Sequence, residues 1–553
     1  MTHLCRVRRK QYRKRLREEQ RAETVTYTND LHDALLKKDS NAFWKCWRSK
    51  FEPQNKCIEV EGCVDPVVVV SKFVDHFSQS YSHNNADRMN SLKDEYNDLR
   101  MNYCGLPSSM YDLNLDVELV SNVILHLKRG RAPDIYSLTA EHLLHSHPLL
   151  PLILTKLFRL IVLCRYTPKG FKRNYIVPIP KLRDSRTKVM TCDDFRGIAI
   201  SPILSKIYEY CLLDRLKFIF SSADNQFGFK KGLGCTDAIF TARKIVDQIV
   251  AGGNTANLCA IDLSKAYDKV NHFGLFIKLM KKNIPELLLN LIENLVSDCY
   301  ACVKWNVCWS SEFVIQFGVR QGSVLSPFLF AIYLDNVYSL CDPKRKVFII
   351  AYADDILIIS QSVVELQRLF NMCELELQWL DMRINTKKSC CLRVGPRFDL
   401  PCAEITTSDG NSLPWVSETR YLGTFIVAGR ELRCSVTYAK RSFHRSINAI
   451  FGKVGRLASE EITLQLAKAK CVPILVYGLE CFSLRKADTK SLDFAVIRFL
   501  MKLFKCANID VINDCRQFFK FELPSEVLEK KRSKFMRKFA SRKNLYRYFD
   551  IRV

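Results

Sequence analysis

The pattern of apolar and polar positions divides the chain into three stretches of different texture. Residues 24–115 alternate helical patches, HDALLKKDSNAFWKCW and VVVVSKFVDHFSQSY, with polar segments, and a basic run, RVRRKQYRKRLREEQR, precedes them. From about residue 116 the pattern tightens. VELVSNVILHLKRG has helical spacing, IVPIPK at 176–181 and FRGIAI at 195–200 read as strands, and SPILSKIYEYCLLDRL returns to helical spacing. Strand, helix and strand alternate to about 425, which predicts an α+β fold organised on a sheet. Beyond 430 the signal is helical, in VTYAKRSFHRSINAIFGKVGRL, ITLQLAKAKCVPILVYGLECF and DFAVIRFLMKLFK, before a basic close, EKKRSKFMRKFASRKNLYR. The predicted organisation is a basic, mainly helical extension over 1–115, a sheet region over 116–425 and a helical region over 426–553.

The longest apolar stretch, PLLPLILTKLFRLIVLC at 148–164, carries Lys156 and Arg159 at helical spacing. It predicts an amphipathic helix packed on a core, not a membrane span. With no signal peptide or lipidation motif in view, a membrane is not an expected partner. A content of 48% hydrophobic and 26% charged residues excludes disorder along the whole length. The charge balance changes the picture more: 84 Lys and Arg against 58 Asp and Glu leave a net +26. An excess of that size points to a polyanionic partner. The N-terminal basic run reads as a solvated helix, a nucleic-acid arm or a nuclear-import signal. The 23 cysteines are scattered, and Cys164, Cys211, Cys259 and Cys373 sit in apolar runs, where cysteine behaves as a small buried hydrophobe. The one CxxC, Cys299 to Cys302, lacks a second pair and a nearby histidine, so zinc is not expected. A reducing, intracellular setting fits this usage.

Two segments carry candidate chemistry. In NLCAIDLSKAYDKV an apolar run ends at Asp262, which puts a carboxylate at the rim of a sheet. In KVFIIAYADDILIIS two β-rich runs flank Ala353, Asp354 and Asp355, which predicts a hairpin with carboxylates at its turn. Neighbouring strand residues face opposite ways, so Asp354 and Asp355 share one metal site only if the turn bends. Gathered carboxylates repel unless a cation joins them.

YADD at 352–355, IDLSKAYDKV before it and GVRQGSVLSPFLF at 318–330 between them resemble, in order and spacing, boxes of the reverse transcriptases of non-LTR (long-interspersed-element type) retrotransposons. The resemblance runs from about 120 to 425, and group II intron maturases share part of it. It implies a right-hand polymerase: fingers and palm with an antiparallel sheet over 116–425, and a helical thumb after 430. It implies an RNA-directed DNA polymerase that uses two Mg²⁺ ions, with Mn²⁺ as a possible substitute, on an RNA template, a DNA primer and deoxynucleoside triphosphates, and that works in the nucleus. Asp262, Asp354 and Asp355 match the metal ligands, joined by the Leu263 carbonyl. Tyr267 matches the aromatic that crowds the sugar 2′ position, while Asp268 reads as a structural cap or pair. Gln321 and Gly322 match positions lining the nucleotide and template pocket, where a glycine lets the backbone approach a base. Arg320 reads equally as a phosphate contact or a surface charge. Lys181 and Arg196 match the positions that clamp the triphosphate. QFGFKKGLGCTDAI at 226–239 resembles the template-side segment, and YLG at 421–423 the primer-grip turn. In INTKKS, Lys388 matches the lysine that protonates pyrophosphate, chosen over Lys387 by register with Asn385. One departure stands out: where the family has A-x-G-x-D-G, this chain has RAPDIYSL, with neither glycine. Neither an endonuclease segment nor a zinc knuckle is recognisable, so a truncated reading frame is expected. The competing expectation is a catalytically inactive, nucleic-acid-binding relic of the same fold.

Overall fold

The computed structural model describes residues 33–34, 42, 46, 59–107, 113–181, 189–215, 223–453, 459–540 and 548–549. The N-terminal basic run lies outside them. The described residues fall into two compact units, Cys57–Val416 and Ser417–Asn544, the second also drawing Ala34 into its core. These divisions differ from the expected breaks after 115 and 425, because the segment from residue 57 onward is built into the first unit.

That segment supplies helix α1, Pro66–Ser80. Proline occupies its first turn, and the Asp65 side chain accepts from the Val67 amide to cap it. Val69, Val70, Phe73 and Phe77 form its buried face. Helix α2, Leu150–Cys164, turns Leu154, Phe158 and Ile161 to the core but leaves Leu152, Ile153, Leu160 and Leu163 exposed. It packs on the core as expected, but its outer face carries these apolar side chains beside Lys156 and Arg159. Arg159 bends back to donate to the Leu115 carbonyl at 2.6 Å. Cys164, expected inside, is exposed at the helix end, while Cys211, Cys259 and Cys373 are buried.

Two sheets follow. Strands β1, Arg173–Pro180, and β2, Phe195–Ile200, pair antiparallel, and helix α3, Ile203–Arg215, leaves the second of them. Helix α4, Cys235–Ala251, leads into β3, Ala256–Ile261, and β4, Cys299–Trp305, returns to lie parallel to β1. Helix α1 covers this β2-β1-β4 sheet through Phe73, whose ring meets Phe195 at 5.0 Å and Trp305 at 5.2 Å. Gly197 makes room for it, since a Cβ there would lie 2.7 Å from the Phe77 ring. Cys299 and Cys302 are simply buried on β4.

Helix α5, Ser326–Tyr333, then precedes the hairpin of β5, Val347–Tyr352, and β6, Asp355–Ser360. Helix α6, Val363–Trp379, and β7, Cys390–Val394, complete an antiparallel sheet in the order β5-β6-β3-β7. Its strands are almost wholly buried, with α4 and α6 packed against it. Burying each such Ile or Leu contributes about 1.5–3 kcal/mol, which makes this sheet the rigid part of the unit. Register decides what lies at its end. Ile261 pairs with Ile356 and Tyr352 with Asp355, so Asp262, one residue past β3, comes level with the hairpin turn.

The second unit opens with a three-strand meander of β8, Glu418–Tyr421, β9, Thr424–Val427, and β10, Arg433–Cys434. The YLG segment is its first turn: Leu422 and Gly423 have φ of +45° and +87°, as a two-residue hairpin loop requires. Helices α7, Val436–Lys453, α8, Lys486–Phe504, and α9, Pro524–Ala540, carry most of its core. Among the described residues no helix is long and apolar enough to cross a membrane.

Candidate active site

The apolar run of β3 stops at Asp262 because the chain there pairs with the INTKKS segment. Asn385 N donates to the Asp262 carbonyl at 2.8 Å, Ser264 N to Arg383 O at 3.1 Å, and Ser389 Oγ accepts from the Asp262 amide at 3.0 Å. The Leu263–Ile384 bridge uses these flanking groups, so the Leu263 carbonyl takes no part in it. The hairpin turn consists of Ala353 and Asp354, with Ala353 at φ +57°. This arrangement places the Asp262 and Asp354 carboxylates within reach of each other's charge.

Asp355 behaves differently. It is the first residue of β6 and is exposed. Among the described residues, no three His, Cys, Asp or Glu side chains gather closely enough to cage an ion. The expected three-carboxylate cluster is thus two carboxylates with a third beside them.

Their electrostatics are those of an incomplete site. Burial pushes the Asp354 carboxyl above its ordinary value; Asp262 adds to the rise, while Arg196 and Lys388 oppose it. The Asp262 Oδ2 atom is buried without a hydrogen-bond partner, and its nearest cation is Lys388 Nζ at 3.7 Å. Lys181, just past β1, donates from Nζ to the Asp193 carbonyl at 2.6 Å. Burial and the like charge of Lys388 lower its ammonium, Asp193 opposes them, and Lys265 and Arg196 add to the lowering. Lys181, Arg196, Lys265 and Lys388 therefore form one basic rim. Lys265 was not legible in the sequence: it has φ +49°, and its Nζ donates to Ser80 Oγ of α1 at 2.8 Å and lies 3.7 Å from Asp193.

Tyr267 stacks on Phe330 of α5 at 4.4 Å and meets the edge of Phe229 at 6.5 Å. Burial raises its hydroxyl far above the ordinary phenol, and the Asp354 charge adds to this. Asp268 has the structural role expected of it, accepting from Gln321 Nε2 at 2.9 Å. Gly322 needs its φ of +138° for a nearer reason than a base: a Cβ there would lie 2.2 Å from the Ala199 carbonyl of β2. Arg320 is neither a phosphate contact nor a surface charge. It is buried, with Nη1 on the Phe171 carbonyl at 3.2 Å and Nη2 on Glu209 at 3.4 Å. Glu209, fully buried on α3, also accepts from Ser323 Oγ, from Ser205 Oγ at 3.2 Å and from the Val324 and Leu325 amides at 2.7 and 3.1 Å. Its only sequence signal is an acid inside the apolar run SKIYEYCLL.

The altered RAPDIYSL turn is folded. Asp134 Oδ1 accepts from the Tyr136 and Leu138 amides, both at 2.9 Å, and Oδ2 from the Ile203 amide at the start of α3 at 2.9 Å. Ser137 takes φ +61° where the family pattern has its second glycine.

Residues 179–426 match the family model described as reverse transcriptase (RNA-dependent DNA polymerase). The chain is 24% identical over 513 residues to the probable RNA-directed DNA polymerase from transposon BS of Drosophila melanogaster, covering 86% of this chain and 54% of that protein. It is 26% identical to the RNA-directed DNA polymerase from mobile element jockey of Drosophila funebris, over 66% of this chain and 41% of that one. It is 24% identical to the retrovirus-related Pol polyprotein from type-2 retrotransposable element R2DM of Drosophila melanogaster, over 51% and 28%. Thus the chain spans about half, or less, of the length of these relatives. Over residues 179–426 the chain carries a reverse transcriptase domain, similar to those of non-LTR retrotransposon polymerases.

Proposed function

We propose that this chain is an RNA-directed DNA polymerase that adds deoxynucleotides to a primer 3′-hydroxyl on an RNA template. The observation that carries the reading is the pair Asp262 and Asp354: two crowded carboxylates, one with a buried oxygen that has no hydrogen-bond partner, inside a rim of cations. Mg²⁺ fits such a pair, because it is held by one or two carboxylates together with substrate phosphates and not by an all-protein cage. Asp262 and Asp354 would hold two such ions, with the Leu263 carbonyl and Asp355 alongside, and Mn²⁺ could replace them. The bound ions supply Lewis-acid charge for in-line phosphoryl transfer.

The chain's own residues do the rest. Lys181 and Arg196, with Lys265, bind the triphosphate by charge-assisted hydrogen bonds. Tyr267, braced on Phe330, crowds the 2′ position of the incoming sugar. Gln321, held by Asp268, lines the nucleotide pocket. Lys388 is placed to give a proton to the departing pyrophosphate.

The test is purified full chain with RNA template, DNA primer, Mg²⁺ and deoxynucleotides. Extension is expected, and Asp262→Ala or Asp354→Ala should lower it by at least ~10³-fold, several kcal/mol of lost charge stabilisation. Wild-type protein that binds primer–template without extending it would overturn the reading in favour of the inactive relic. Tyr267→Val should admit ribonucleotides; unchanged sugar selectivity would refute the steric role.

A further inference from the structure

The hairpin turn that carries Asp354 is held in an unfavourable backbone conformation. Ala353 sits at φ +57°, where an alanine costs about 1 kcal/mol or more. Strain of this kind persists only where the surroundings over-determine it. Here they do so from an unexpected direction, the segment Asn225 to Gly228, which enters the stretch 226–239 that resembles a template-side segment.

Asn225 to Phe227 lie along the outer edge of β5, with Ala351 N donating to Asn225 O at 2.9 Å and Phe227 N to Ala351 O at 2.8 Å. The Gln226 side chain, fully buried, then reaches the turn. Its Oε1 accepts from Ala353 N at 3.2 Å and from Gly228 N at 2.8 Å, and its Nε2 donates to Tyr338 Oη at 3.0 Å. Tyr338, also fully buried, donates its hydroxyl to the Ala353 carbonyl at 3.2 Å. Both polar groups of the Ala353 backbone are thus satisfied by one two-residue relay. Gly228 completes the clasp, since a Cβ there would lie 2.8 Å from Ala353 N. We propose that Gln226 and Tyr338 are positioning residues that set the orientation of the Ala353–Asp354 peptide, and with it the direction in which the Asp354 carboxylate faces Asp262.

This proposal deepens the polymerase reading and rests on it for its kinetic arm only. Two variants of the full chain test it: Tyr338→Phe, which removes one oxygen and keeps the ring, and Gln226→Leu, which keeps bulk and removes all the hydrogen bonds. Amide hydrogen exchange should quicken at least ~10-fold over residues 351–356 in both, with the rest of the first unit unchanged, because local opening is what the lost bonds oppose. In primer extension, kcat should fall about 10-fold, the KM for deoxynucleotide should change less than about 3-fold, and half-maximal activity should need more Mg²⁺, the pattern of a misdirected ligand. If Gln226→Leu fails to fold, Tyr338→Phe carries the test alone. Unchanged exchange over the turn, or a KM rise with kcat and metal demand intact, would overturn the proposal. If wild type extends no primer yet exchange over the turn still responds, the clasp stands and the polymerase reading fails.

Discussion

Two loops within the first unit handle buried charge in opposite ways. Under the RQGSVLSP loop, Glu209 of α3 collects donors from Ser205, Ser323, Val324, Leu325 and Arg320, and Arg320 finds two further acceptors. At the hairpin, half-buried Asp354 lies beside Asp262, whose buried Oδ2 has no hydrogen-bond partner and the Lys388 ammonium 3.7 Å away. A charge whose bonds are complete is part of the scaffold. A charge left incomplete in a folded protein is waiting for something, and here its chemistry asks for a cation.

Altering each side in turn sharpens that contrast. The largest effect on folding is expected at Glu209: Glu209→Gln leaves Arg320 buried against a neutral partner and should cost about 3 kcal/mol or more, read as a lowered urea midpoint. A shift under about 0.5 kcal/mol would mean that the loop is not held by this charge.

At the hairpin the sign reverses. The Asp354 carboxyl lies above its ordinary value in the folded state, so below the unfolded value of 3.8 both states are protonated and carry no penalty. As pH rises past it the unfolded chain ionises first and the native state loses stability, fully so above the folded value. Without divalent metal at neutral pH, Asp354→Asn should therefore raise Tm by about 1–2 °C, with the gain vanishing in acid. Adding Mg²⁺ with primer–template and nucleotide should stabilise the wild type more than the variant. Equal metal response would break the comparison.

The smallest effect is expected at Ser137, whose φ of +61° occupies a glycine position without a glycine. Ser137→Gly should stabilise by about 0.5 kcal/mol, the relief of left-handed strain less the added freedom of the unfolded chain. Loss of stability would mean that the Asp134 knot, not the backbone angle, governs this turn.

The contrast also explains what could be read in advance. FRGIAI is the strand foreseen, IVPIP falls within the longer Arg173–Pro180 with Lys181 just past its end, and the hairpin and Asp262 at its strand end were legible because period and apolar runs are local. Lys388, chosen over Lys387 by register with Asn385, has its Nζ 3.7 Å from Asp262 Oδ2. Partners distant in sequence were not legible: Glu209 lies 111 residues from Arg320, and Gln226 lies 127 from Ala353. A single residue announces neither its pair nor its burial. The outer face of α2 was under-read, since exposed leucines and an isoleucine stand there beside its two charges.

Helix α1 has a practical corollary. It ends about a hundred residues before the stretch that matches the family model, yet Phe77 occupies the space above Gly197, and Ser80 Oγ accepts from Lys265 of the basic rim. The homology window and the folding unit are different objects. An expression fragment trimmed to residues 179–426 would lack β1's first residues and the helix that seals its sheet, leaving an apolar wound beside the candidate site. Silence from such a fragment would report on the trimming, not on the enzyme.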